Sequence, residues 1–109
     1  MTVKEIANKL DLTEITKDVS LEKEVTGCYI GDLLSLVMSR AKKGDAWITI
    51  QGNVNVPAVA LLTECAMIIL AESMTLDENA LIRAQEEEIP VFTSGKSAYE
   101  LACEIKECL

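Results

Sequence analysis

Between Ala46 and Ala71 the chain carries a single formal charge, Glu64. No other feature restricts the fold so strongly. A continuous apolar segment of that length invites a membrane-spanning reading, but Gln51, Gly52, Asn53, Asn55 and Pro57 cut it in two. Neither half reaches the ~20 apolar residues that a spanning helix needs. The segment therefore reads as strand (46–51), turn (52–55), helix (about 56–64) and strand (66–71). Apolar runs without alternation suit parallel strands covered on both faces. Two such strands joined through a helix form a crossover unit.

The flanking sequence extends this pattern. Thr2-x-x-Glu5 is a capping box, followed by Val3, Ile6, Ala7 and Leu10 at helical spacing, which predicts a helix over 3–10. Residues 12–16 read as a short strand, 17–24 as a charged loop, and 25–30 as a strand interrupted by Gly27 and closed by Gly31. Asp32 is expected to cap a helix running to Ala41, which ends on Lys42, Lys43 and Gly44. Asp77 is expected to cap a helix over 77–88, with Ala80, Leu81 and Ala84 inward. Pro90 stops it, and 89–93 follows as a strand. Ser97-x-x-Glu100 is a second capping box and opens a last helix. The expected fold is a small three-layer α/β/α domain with a mostly parallel sheet, a single domain over 1–109.

Composition narrows the function. Ten basic and eighteen acidic residues leave a net charge of −8, which argues against a nucleic-acid backbone as partner. The chain has no histidine, so the commonest general base and metal ligand are absent. The four cysteines (Cys28, Cys65, Cys103 and Cys108) form no C-x-x-C pair, and neither metal nor cofactor is expected. Lys4, Glu5, Asn8 and Lys9 interrupt any secretory leader at the start, so the expected compartment is the cytoplasm with reduced thiols.

Three turns are candidates for binding. Ser94-Gly95-Lys96-Ser97 has the ending of a phosphate loop after a strand and before a helix. Its first glycine position, however, holds Pro90. A turn plus N-cap accounts for the same residues, and Lys96 with the helix start would suit an anionic group. Gln51, Gly52, Asn53 and Asn55 follow a buried strand, where open α/β sheets take their ligands, and they also suit a turn and cap. Thr26-Gly27 and Gly31-Asp32 precede a helix. They read as a weak phosphate cradle or as a bulged strand bending into it. Cys28, ahead of that helix, is the one thiol placed for a lowered pKa, yet it has no histidine to pair with. The expected pocket gathers Thr26, Gly27, Gly31, Asp32, Gln51, Gly52, Asn53, Asn55, Ser73, Thr93, Ser94 and Lys96 at strand ends, around a polar metabolite with one anionic group.

The helix at 56–64 is apolar nearly all round, and the one at 33–41 has a stripe wider than one sheet face requires. A domain this small does not bury both alone, which points to a two-fold homodimer. A monomer with one greasy patch is the simpler alternative.

Val25-Thr26-Gly27, Gly31-Asp32-Leu33-Leu34, Ala46 to Asn53 with Asn55, and Ala58-Val59-Ala60 together resemble the DRTGG domain, although that five-letter string is absent. The likeness covers nearly the whole chain, and Ser97-Ala98-Tyr99-Glu100-Leu101 suits short stand-alone versions. It implies a fold similar to the N-terminal domain of HPr kinase/phosphorylase and of the muramyl ligases. It also implies a regulatory or dimer-forming role beside phosphotransacetylase or nucleotide-sensing pyrophosphatase modules. Gly27, Gly31, Asp32, Gln51, Gly52 and Asn53 are the motif positions, and the resemblance brings no catalytic residues. The expected function is thus a non-enzymatic regulator that senses a small nucleotide or phosphorylated ligand or docks a protein. The alternative is a scaffold subunit for a kinase-like or redox partner.

Overall fold

In a computed structural model that describes residues 1–109, five helices surround one five-stranded sheet. In chain order these are α1 (Val3–Lys9), β1 (Thr13–Glu14), β2 (Gly27–Ile30), α2 (Leu34–Arg40), β3 (Asp45–Thr49), α3 (Asn55–Thr63), β4 (Met67–Leu70), α4 (Glu78–Glu86), β5 (Val91–Thr93) and α5 (Ala98–Cys108). The strand order is β1-β5-β4-β3-β2. Every pair is parallel except β1 with β5. The expected three layers are present, and the apolar stretch is the centre of the sheet: β3 and β4 are buried at every residue.

Because side chains alternate along a strand, these runs feed two cores at once. Ala46, Ile48, Met67, Ile69 and Phe92 face α1 and α5, where Val3, Ile6, Leu101 and Ile105 close the layer. Trp47, Ile68, Leu70 and Val91 face α2, α3 and α4, where Val37, Val56, Val59 and Ala84 meet them.

Both capping boxes form, at Thr2/Glu5 and at Ser97/Glu100. Two other caps do not. Asp77 occupies the N-cap position of α4 without a side-chain bond. Asp32 does not cap α2, which starts at Leu34 behind Leu33. The expected bulge at Gly27 is also absent, since β2 keeps unbroken register with β3 from Gly27↔Asp45 to Ile30↔Ile48. Gly27 lies close beside Asp45: a Cβ there would lie 2.5 Å from Asp45 Oδ1, so any other residue makes that carboxylate shift. The strand over 12–16 shrinks to two paired residues, because Ile15 and Thr16 turn their amides onto the Val91 carbonyl.

Candidate functional site

Four parallel strands put four loops along the carboxyl edge of the sheet, where such folds hold their ligands. Ten of the twelve expected residues lie at this edge: Gly31, Asp32, Gln51, Gly52, Asn53, Ser73, Ser94 and Lys96 in the loops, Thr93 at the end of β5 and Asn55 at the start of α3. Thr26 and Gly27 do not. They stand where β2 begins, beside Gly44 and Asp45, at the opposite edge. Grouping them with strand ends misplaces them by the full length of a strand.

The carboxyl-edge loops are laced to one another. The Trp47 indole N–H donates to the Gly31 carbonyl at 2.9 Å. Asp32 Oδ1 accepts from the Thr49 hydroxyl at 2.8 Å and from the Ile50 amide at 2.9 Å, so Asp32 ties the β2–α2 loop to the end of β3. Asn53 Oδ1 accepts the Asn55 amide at 2.9 Å, the turn-and-cap role. Gly52 presses against the Thr75 backbone, and its carbonyl accepts the Asp77 amide at 2.8 Å. Ser73 donates its amide to the Ser94 carbonyl at 2.8 Å, and the Thr93 hydroxyl donates to the Met74 carbonyl at 2.7 Å. Glu72 and Ser73 both take the left-handed backbone conformation to make this link.

Lys96 is part of the same lacing. Its ammonium donates to Glu104 at 2.8 Å and to the Leu10 carbonyl at 3.3 Å, which joins the β5–α5 loop to α5 and to the end of α1. The ammonium expected to meet an anionic ligand is thus already paired with a carboxylate. Ser94 and Ser97 serve the turn and the cap, with the Lys96 amide on Ser94 Oγ at 3.1 Å. The phosphate-loop ending is therefore a helix start.

Thiol chemistry is corrected as well. Burial pushes the Cys28 thiol up to about 11, and the neighbouring Asp45 carboxylate adds to the rise. Burial also raises Cys65, against the opposing effect of its hydrogen bond with Thr63. The α2 helix start does not activate Cys28. A desolvated thiol next to a carboxylate keeps its proton.

The chain's cavities lie away from the carboxyl edge. One of about 580 Å³ abuts the start of β2 and is lined by Thr26, Gly27, Tyr29, Arg40, Lys42 and Lys43, among others. Another, of about 430 Å³, adds Lys23 beside Thr26 and Lys43. Four of the ten basic residues thus gather at the amino edge. In the sequence Lys42 and Lys43 stand out only as complements to a helix end. The signal that would have singled them out is Arg40-x-Lys42-Lys43, the densest cationic run in a strongly acidic chain.

No family model and no curated protein matches this sequence. Among solved structures, the chain is similar to the CBS and DRTGG domains of the regulatory region of a Clostridium perfringens pyrophosphatase, in complex with its activator diadenosine tetraphosphate. The TM-score is 0.74 at 14% identity, over 99% of this chain and 47% of the other. The fold is DRTGG-like. The chain spans about half the length of that regulatory region, and at this identity the likeness concerns the fold alone. No helix is long and apolar enough to cross a membrane.

Proposed function

We propose that this chain is a regulatory module of the DRTGG type, related to the N-terminal domain of HPr kinase/phosphorylase, that works by binding rather than by catalysis. In this reading residues 1–109 act as one unit, a homodimer in the reducing cytoplasm. The dimer responds to a nucleotide or phosphorylated metabolite, or passes a signal to a docked protein. One observation carries the reading. The side chains best suited to chemistry are spent on structure, Asp32 and Lys96 in the loop lacing and Cys28 and Cys65 as protonated thiols, while an otherwise acidic surface keeps exposed apolar side chains and one cationic cluster suited to contact. The regulatory setting of the similar pyrophosphatase region supports the same role. Its dinucleotide belongs to a region twice this length, so ligand class is taken over here and ligand identity is not.

A small ligand would rest on the carboxyl-edge loops, on the amides of Gln51 and Asn53 and the hydroxyls of Ser73 and Ser94, with Gly31, Gly52 and Asn55 shaping the rim. Thermal melting with millimolar ATP, AMP, diadenosine tetraphosphate or a phosphorylated sugar tests this. At a ligand concentration 100 times Kd the stabilisation is about 2.7 kcal/mol, a rise of several degrees for a domain this size. The Gln51→Ala/Asn53→Ala variant should lose that rise. A flat melting point with all of these ligands would overturn the small-ligand half of the proposal, and turnover of any of them would overturn binding without catalysis. A second reading, a scaffold that only docks proteins, is favoured by the open edge of the sheet.

A further inference from the structure

The two edges of the sheet are built differently. β1 is two residues long, fully exposed and carries Glu14, which is how natural sheets blunt an edge. β2, at the other end, reads Gly-Cys-Tyr-Ile, with no charge and no proline, and nothing in the chain pairs with its outer side. Such an edge presents backbone N–H and C=O groups ready for another strand.

A cavity opens on each face beside it. On the α2 face the cavity of about 580 Å³ brings Arg40, Lys42 and Lys43 against Gly27 and Tyr29. On the α5 face one of about 540 Å³ is lined by Cys28, Ile30, Ala102 and Leu109, with Lys106 at its border. The turn that carries the two lysines is fixed by hydrogen bonds from backbone amides. The Lys42 amide donates to Asp45 Oδ2 at 2.8 Å, the Thr26 amide to the Gly44 carbonyl at 2.9 Å, and the Gly44 amide to the Glu64 carbonyl at 3.0 Å. Arg40 and Lys42 have no carboxylate within ion-pair reach, and Lys43 has only a 3.8 Å exposed contact with Glu64. Asp45 lines the same cavity, but its carboxylate accepts the Lys42 amide, so Arg40 and Lys42 are left without an ion-pair partner.

The geometry points to β2 as the docking edge for an extended acidic–apolar segment of a partner protein. That segment would add as a sixth strand. Its side chains would alternate between faces, a carboxylate toward Arg40, Lys42 and Lys43 and an apolar residue into the Ile30–Leu109 groove. Charge complementarity selects this occupant over a basic or wholly apolar strand.

This inference rests on the docking half of the proposed function and is independent of the carboxyl-edge ligand. The test is fluorescence polarisation of the full chain with a labelled synthetic peptide of alternating glutamate and valine. Saturable binding is expected, weakened at least ~10-fold by Arg40→Glu/Lys42→Glu and by Ile30→Glu, and by raised salt. A lysine-for-glutamate peptide should not bind. The Gln51→Ala/Asn53→Ala variant should bind the peptide normally, so failure of the small-ligand site leaves this result standing. Equal binding of the lysine peptide, or indifference to Arg40→Glu/Lys42→Glu, would overturn the proposal. So would complete displacement of the peptide by tripolyphosphate with Ile30→Glu silent, which marks a plain anion site. Concentration-dependent protection of β2 amides from hydrogen exchange without peptide would assign the edge to a second copy and equally overturn it.

Discussion

Asp32 stands one residue before the N-cap of α2, Leu33, and its carboxylate reaches across the sheet edge to the Thr49 hydroxyl and the Ile50 amide. Removing it orphans the hydroxyl of Thr49, a buried residue, as well as a backbone donor. Asp32→Ala should therefore cost about 1–3 kcal/mol in urea denaturation, and Asp32→Asn less, because one acceptor oxygen remains. A cap would have cost a similar amount, so the discriminating measurement is hydrogen exchange: Ile50, and not the first turn of α2, should lose protection. The thiols make a second prediction. Cys103 is exposed and should react with a disulfide reagent at about pH 8, whereas Cys28 should stay unreactive until the pH nears its value of about 11. The sign for stability follows from the same shift. The folded thiol holds its proton above the ordinary value of 9.0, so its contribution is complete below about pH 9 and is lost as pH rises toward 11. Urea midpoints in Cys28→Ser should show a smaller decline over that window than in the parent chain.

Helix caps separate what spacing reveals from what it conceals. Thr2-x-x-Glu5 and Ser97-x-x-Glu100 were legible because a capping box is local: both partners lie within one turn. Ser97→Ala should cost about 1 kcal/mol, whereas Asp77→Ala, with no cap bond to lose, should change stability by only a few tenths in the same chemical denaturation. The sheet was legible for a related reason. Runs such as Ala46–Ile48 and Met67–Leu70 have no polar face, and only strands covered on both sides tolerate that. What escaped depends on distant partners. Nothing around Lys96 announces that its ammonium will meet Glu104 and the carbonyl of Leu10. Nothing around Gly27 tells that it adjoins Asp45 side by side rather than bulging. Thr26 and Gly27 were grouped with the wrong edge because a loop leading into a parallel strand and a loop leaving it look alike in composition, although they lie at opposite ends of the sheet.

At the scale of the whole molecule, the layer formed by α2, α3 and α4 is covered on one side only. Its inner residues (Val37, Val56, Val59 and Ala84) are buried against the sheet, while Leu62 is 69% exposed, Leu33 66% and Ile82 50%, and Leu36, Met38, Val54 and Leu61 are also open. α3 lies between its two neighbours and is apolar toward both the sheet and the outside, so these side chains crowd one face of the chain. A standard interface removes roughly 800 Å² per partner. The chain exposes 5884 Å² in all, and this face is the apolar share of it best placed to supply such an area. The proposed homodimer would use this face, because a two-fold contact needs only one self-complementary patch. A contact centred on Leu61 and Leu62 of α3, which packs between α2 and α4, need not cover the β2 edge. The melting temperature should then rise with protein concentration, since dissociation and unfolding are coupled. Leu61→Glu/Leu62→Glu should abolish that dependence and sediment as a monomer with an unchanged far-ultraviolet circular dichroism spectrum, because both side chains point away from the core. A concentration-independent melting temperature in the parent chain would leave the α3 face as a solvent-exposed apolar patch and remove the dimer from the proposed function, while peptide capture at β2 would be unaffected.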